Sequence, residues 1–254
     1  MDIHKPKAAH SWSEFLTEIG TIICGIVIAL GLEQLVSNIE WSRKVAETRE
    51  ALGLELAESL GKADNRTQLA SCMNQRLDAL AVIVDRAAKT GVLPPLPTPT
   101  EPPYYSWGSG VWTSALSSQS ASHLPAEQLR GYSRFYQILD RVSEAEPREE
   151  QAWTVLFGLA GPGRPFDAED ARIYRQAIGQ ARDLNGLISG FGVRLKQAVQ
   201  TNHIPYDARM YAERTAHQTA MRAACGAPSG TPPADYGAAP STRFVQQALE
   251  HPTR

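Results

Sequence analysis

The first pattern along the chain is a block rather than a period. Between Glu18 and Glu33 run fourteen residues without a charge, Ile19 to Leu32, about 21 Å of helix against a hydrocarbon layer of roughly 30 Å. Counted outward to Phe15 and Val36 the segment has twenty-two residues, about 33 Å, provided that Glu18 and Glu33 reach toward headgroups or face a partner. Trp12 and Trp41 bracket it as interfacial anchors do. The pattern predicts a transmembrane helix over 15–36. Two alternatives stay open. A cleaved secretory signal would use Lys5, Lys7 and the small residues Ala29-Leu30-Gly31, although Glu14 and Glu18 stand directly before the apolar run. A buried core helix would normally keep a polar stripe.

Beyond the block the pattern turns periodic. Trp41, Val45, Thr48, Leu52, Leu56 and Leu60 recur at spacings of three and four, which predicts an amphipathic helix that the apolar helix can enter without a break. After Gly61 the seam resumes with Met73, Leu77, Leu80, Val84 and Ala87, and Gly91 ends it. Residues 92–103, VLPPLPTPTEPP, hold too many prolines for a helix and read as an extended connector. Tyr104, Tyr105, Trp107 and Trp112 follow, leading into a short helix near 111–118. They make either an aromatic binding patch or a satellite cluster capping a bundle. Leu129, Tyr132, Phe135, Tyr136 and Leu139 mark one face of a helix that starts at Pro125, and Pro147 reads as the start of another, bearing Trp153, Leu156, Phe157 and Leu159. Asp167 predicts the cap of a long helix to about Gln200, with Gly186, Gly190 and Gly192 as points of close backbone approach. A last helix is predicted from Pro205 to about Ala224, then a flexible tail with a short helix bearing Phe244, Val245 and Leu249.

No strand alternation and no internal repeat appear. The predicted fold is all-α: a transmembrane helix continuing into a long amphipathic helix, packed in a bundle with a Pro-rich connector and a partly disordered tail. Its parts are a cytoplasmic segment 1–14, the membrane helix 15–36, a helical extracytoplasmic domain 37–225 and the tail 226–254.

Charge narrows the function classes. A net charge of −2 over 254 residues, with no run of Lys or Arg, supplies no basic field and predicts no nucleic-acid partner. The six histidines are scattered, and only Glu213 and His217 form an i, i+4 pair, two ligands short of a metal site. Gly161-Pro162-Gly163-Arg164-Pro165 lacks the Gly-Lys-Ser/Thr ending of a phosphate loop. With no nucleophile elbow, zincin or dinucleotide motif, the expectation is a protein that is not an enzyme and uses no cofactor. Of three cysteines, Cys24 lies in the apolar run, which leaves Cys72 and Cys225 as one candidate disulfide. Flanking charges, Lys5 and Lys7 against Arg43, Lys44 and Arg49, do not decide orientation. The candidate disulfide, which needs an oxidising compartment, places the carboxyl-terminal domain outside the cytoplasm.

The apolar helix carries its own candidate contact. Glu18 and Glu33 fall near one face, and Gly20–Cys24 and Gly25–Ala29 form small-xxx-small steps. The carboxylates either end the span at the interfaces or mark an oligomer contact.

The segment HKPKAAHSWSEFLTEIGTIICGIVIALGLEQ, with the basic-acidic helix after it, resembles the opening of a family of uncharacterised bacterial single-pass membrane proteins. The resemblance is strongest over residues 4–56 and looser at Trp112–Ser120 and Tyr132–Tyr136. It implies an inner-membrane anchor with a helical periplasmic domain and no catalytic residues. The expected partners are membrane lipid and either a second copy or a larger membrane-protein complex. The expected function is that of an oligomeric or accessory envelope subunit. The alternatives are an accessory of transport or energy coupling acting through Glu18 and Glu33, or a periplasmic ligand sensor using the aromatic segment.

Overall fold

A computed structural model describes residues 12–217. Helix α1, Trp12–Thr90, is continuous over 79 residues, so the apolar segment and the amphipathic seam are one rod. Gly91 stops it in a left-handed conformation (φ 73°), which an L side chain would resist. From Trp12 to Ile39 the large apolar side chains are exposed, and Val45 is the first buried residue. The rod projects from the bundle at what is here called the basal end.

The remaining elements wrap the distal half of the rod. The connector runs back down α1 to α2 (Gly110–Ser117) and a 3₁₀ turn (Ser120–His123) at the basal end. Helix α3 (Ala126–Phe157) then climbs, α4 (Ala168–Thr201) descends, and α5 (Ala208–His217) turns back along α1. The side-chain pairs fix these directions. Tyr136 meets Glu55 and Glu149 meets Arg66, so α3 is parallel to α1. Arg175, Arg182 and Lys196 meet Asp85, Asp78 and Asp64, so α4 is antiparallel. The expected seams hold: Leu52, Leu56, Leu60, Met73, Leu77, Val84 and Ala87 are all buried, as are Tyr132, Phe135, Tyr136 and Leu139.

The all-α expectation holds, with one pair of two-residue strands beside the helices, and two expectations are corrected. Pro147 does not start a helix but lies inside continuous α3. It sits on the exposed side, where a helix can bend toward solvent, and the flanking turns are held by buried Ala145, Glu146, Glu149 and Ala152. Two strands exist, β1 (Val92–Leu93) and β2 (Arg164–Pro165), paired antiparallel with an adjoining Leu96–Gly161 bridge. Two residues each are too short to show alternation. Among the α4 glycines only Gly192 marks a close approach, since a Cβ there would stand 2.9 Å from the Ala63 carbonyl. Gly186 and Gly190 face open space. Asp167 does cap α4, in a reciprocal box with Asp170.

The core is divided. A basal cluster uses α1 up to Ala63, α3 up to Ala145 and α4 from Leu184 onward. A distal cluster uses α1 from Met73, α3 from Ala152 and α4 up to Ala181. Between them lies a buried polar waist: Asn65, Arg66, Glu146, Glu149 and Asn185.

Candidate functional site: a polar waist beneath a strapped connector

Arg66 and Glu149 form the centre of the waist, paired at 2.5 Å with side chains 1% and 0% exposed. Burying an ion pair removes two hydration shells, and mutual attraction repays this only with further hydrogen bonds. Some are present. Arg66 donates to the Pro103 carbonyl (3.3 Å), and Asn185 donates to the Ala70 carbonyl (2.9 Å) and to Asn74 (3.0 Å). Glu146, one turn before Glu149, accepts from the Tyr105 backbone N–H (3.0 Å) and from the Trp107 indole (2.8 Å). Asn65 reaches the Tyr105 hydroxyl. Other atoms go unmet: Asn65 Oδ1, Arg66 Nε, Glu146 Oε1 and Glu149 Oε1 are buried without a partner among the described residues.

Carboxylates outnumber cations here. Glu101 and Glu150 add to the field of Glu146 and Glu149, with Arg66 opposite. Burial pushes Glu149 up to about 7 against the pull of Arg66. Burial also raises Glu146, and burial together with Glu150 raises Glu101. Burial raises the Tyr104 phenol, and Glu101 and Glu149 reinforce it. Burial thus raises the carboxyls of the waist above their ordinary range.

The waist is one station of a longer fastening. Along one stripe of α1, Arg76 donates to the Thr100 carbonyl (3.5 Å), Arg66 to Pro103, Lys62 to Ser106 (2.7 Å) and Lys44 to Ser118 (3.3 Å). Thr48 bonds Ser120 (3.1 Å). Glu55 accepts the Val111 N–H (3.0 Å) and the Tyr136 hydroxyl (2.5 Å), so a carboxylate of α1 caps the first turn of α2 and ties it to α3. The connector is thus a strap whose backbone carbonyls and N–H groups are met by side chains of the rod.

The candidate aromatic patch is drawn into this strap. Trp112 is buried and stacks on Tyr136 (5.2 Å, 3°) and Tyr132 (6.0 Å). Tyr104, Tyr105 and Trp107 are half-buried over the waist. Sequence reading missed Arg66, Glu146 and Glu149. The signal was available: Glu146 and Glu149 stand seven residues after Leu139 and Val142, and Arg66 seven before Met73, charges in an apolar register.

The other expected residues are not brought together. Glu18, Gly20, Cys24, Gly25, Ala29 and Glu33 all lie exposed on the projecting part of α1. At about 100° per residue, Glu18, Gly25, Ala29 and Glu33 fall within about 80° of arc, while Gly20 and Cys24 lie on the opposite side. The two small-residue steps therefore cannot serve one contact. Cys24 is a free thiol. Cys72, half-buried on α1, is a disulfide cysteine, and Cys225 lies outside the described residues. Helix α5 runs parallel to α1, with Asp207 at Gly53 and Tyr211 at Asp64. Glu213 pairs with Arg209, and His123 stacks on Trp41 at 3.9 Å. Among the described residues no group of three or more His, Cys, Asp or Glu could hold a metal ion. The residues 1–11 and 218–254, with the tail helix expected there, lie outside the described residues.

Compared with known protein families, curated proteins and solved structures, the chain matches none.

Proposed function

We propose that this protein is a non-enzymatic, single-pass envelope protein, an oligomeric or accessory subunit of a membrane complex whose helical domain stands on a rigid anchor. The observation that carries the reading is the continuity of α1. One helix is apolar enough to cross a membrane near its start, wholly exposed there, and serves as a core helix of the bundle farther on. A single-pass anchor costs a soluble protein dearly in exposed apolar surface, and lipid removes that cost. The likeness of residues 4–56 to bacterial inner-membrane proteins supports the same reading. The disulfide state of Cys72 supports an oxidising compartment for the domain. The aromatic segment supports a structural use over an open ligand platform, because Trp107 and Tyr105 spend polar atoms on Glu146.

Purification of the full chain in mild detergent, with mass measurement and identification of co-purifying proteins, tests the assembly. A single monomeric species without partners would overturn it. Alkaline phosphatase fused after Arg254 tests the topology and is expected to be active.

A further inference from the structure

We propose that the groove between α3 and α4 binds an extended polyanion through Arg134, Arg141, Arg148 and Arg194. The inference does not rest on the membrane reading. Sequence inspection finds no run of basic residues, but the fold assembles one. On α3, Arg134, Arg141 and Arg148 recur every seven residues, which places them on one stripe about 10 Å apart. Arg194 of α4 faces the same groove. The basal part of the groove, about 1040 Å³, is lined by Arg134, Arg141 and Arg194 over Ile138, Phe191 and Ala198. A second recess of about 600 Å³ beside Arg148 continues it toward the distal end.

The contrast with the neighbouring seam carries the argument. Between α1 and α4 the cations are matched: Arg175 with Asp85, Arg182 with Asp78, Lys196 with Asp64. Between α3 and α4 the four arginines are exposed and none is ion-paired among the described residues. Asp140, Glu144 and Asp183 line the same groove without forming such a pair. Four guanidiniums held in a row on two packed helices, outnumbering the three carboxylates beside them, suit a ligand that brings its own anions. Arg194 is already oriented, its guanidinium 5.6 Å over the Phe191 ring. A guanidinium fork meets phosphate or carboxylate through two hydrogen bonds. A linear chain carrying such groups satisfies stations about 10 Å apart, whereas a single small anion meets only one.

The test uses the full chain in detergent, with labelled inorganic polyphosphate and labelled polygalacturonate as probes followed by fluorescence anisotropy. Binding of at least one polymer is expected, and which one binds assigns phosphate or carboxylate chemistry. Affinity should fall between about 50 mM and about 300 mM salt. Combined Arg134→Ala, Arg141→Ala and Arg194→Ala should weaken binding by about tenfold or more. Combined Arg86→Ala, Arg172→Ala and Arg182→Ala removes the same net charge at exposed or half-exposed positions outside the groove and should leave affinity within about twofold. Arg141→Glu alone, at an exposed position, should weaken binding as well. Failure of the intact chain to bind either polymer, or equal weakening by the two triple variants, overturns the proposal.

Discussion

Glu149 carries a carboxylate into a layer where water is excluded, and that position sets the sign of a pH effect. Its folded-state pKa is pushed up to about 7 from an ordinary value of 4.5. The folded protein therefore keeps a proton that the unfolded chain has already lost, so this site's stabilisation is full below pH 4.5 and is lost as pH rises to about 7. The shift corresponds to about 3 kcal/mol. Denaturant midpoints of the intact protein should fall across that interval, with Glu146 contributing in the same direction. In Glu149→Gln the slope should flatten, and an unchanged slope would remove Glu149 as its source. Gly192 and Gly190 make a second residue-scale contrast. A Cβ at Gly192 would stand 2.5 Å from Thr67 Oγ1 and 2.9 Å from the Ala63 carbonyl, while one at Gly190 meets nothing. Thermal melts should show Gly192→Ala destabilised by about 1–3 kcal/mol and Gly190→Ala stabilised by about 0.5–1 kcal/mol. The chain announces all three α4 glycines alike. Only the path of α1 past α4, a tertiary fact, separates them.

At the scale of elements, what was legible follows from local physics. The α1 and α3 seams, the stop at Gly91 and the cap at Asp167 each depend on residues within a turn or two of one another. The strap was not legible because its bonds span long separations: Glu55 to Val111 is 56 residues and Arg66 to Glu149 is 83. A polar side chain on a helix looks solvated until its partner is known. Pro147 misled for the opposite reason, since the local rule is overridden when adjoining turns are packed. Glu55 gives the sharpest test of the strap. It is the one side chain that meets both the first turn of α2 and the Tyr136 hydroxyl. Glu55→Ala should cost about 1–3 kcal/mol, because two partly buried donors lose their acceptor. Because Trp112 stacks on Tyr136 at 5.2 Å, the loss should also change the near-ultraviolet circular dichroism of the aromatic cluster. A stability change without that spectral change would mean that Glu55 acts on α1 alone.

For the whole molecule, the decisive property is that one helix belongs to two environments. The bundle grips α1 from Val45 onward, and the strap grips it from Lys44 to Arg76, so the projecting segment has no hinge where it leaves the domain. Trp41 stacked on His123, with Lys44 4.8 Å over the same indole, fixes the exit point. A rotation or tilt imposed on the projecting segment would be passed to the bundle as a rigid body, and in the proposed anchor reading that geometry suits assembly with membrane helices. Cys24 tests whether lipid covers this segment. Its thiol is free and exposed on α1, in the middle of the apolar run. In an aqueous protein such a thiol is the first to react with a charged maleimide. In a bilayer it lies about 10 Å or more from either surface, beyond the reach of a reagent that does not enter hydrocarbon. Intact membrane vesicles should therefore leave Cys24 unlabelled from both sides, and dissolving them in dodecyl sulfate should restore labelling. Ser13→Cys and Ser42→Cys, each paired with Cys24→Ser, place reporters outside the two ends of the span and should label in intact or opened vesicles. If Cys24 labels as fast as those reporters, the apolar segment lies in water or against a hydrated partner, and the rigid rod joins the bundle to another protein instead of to lipid.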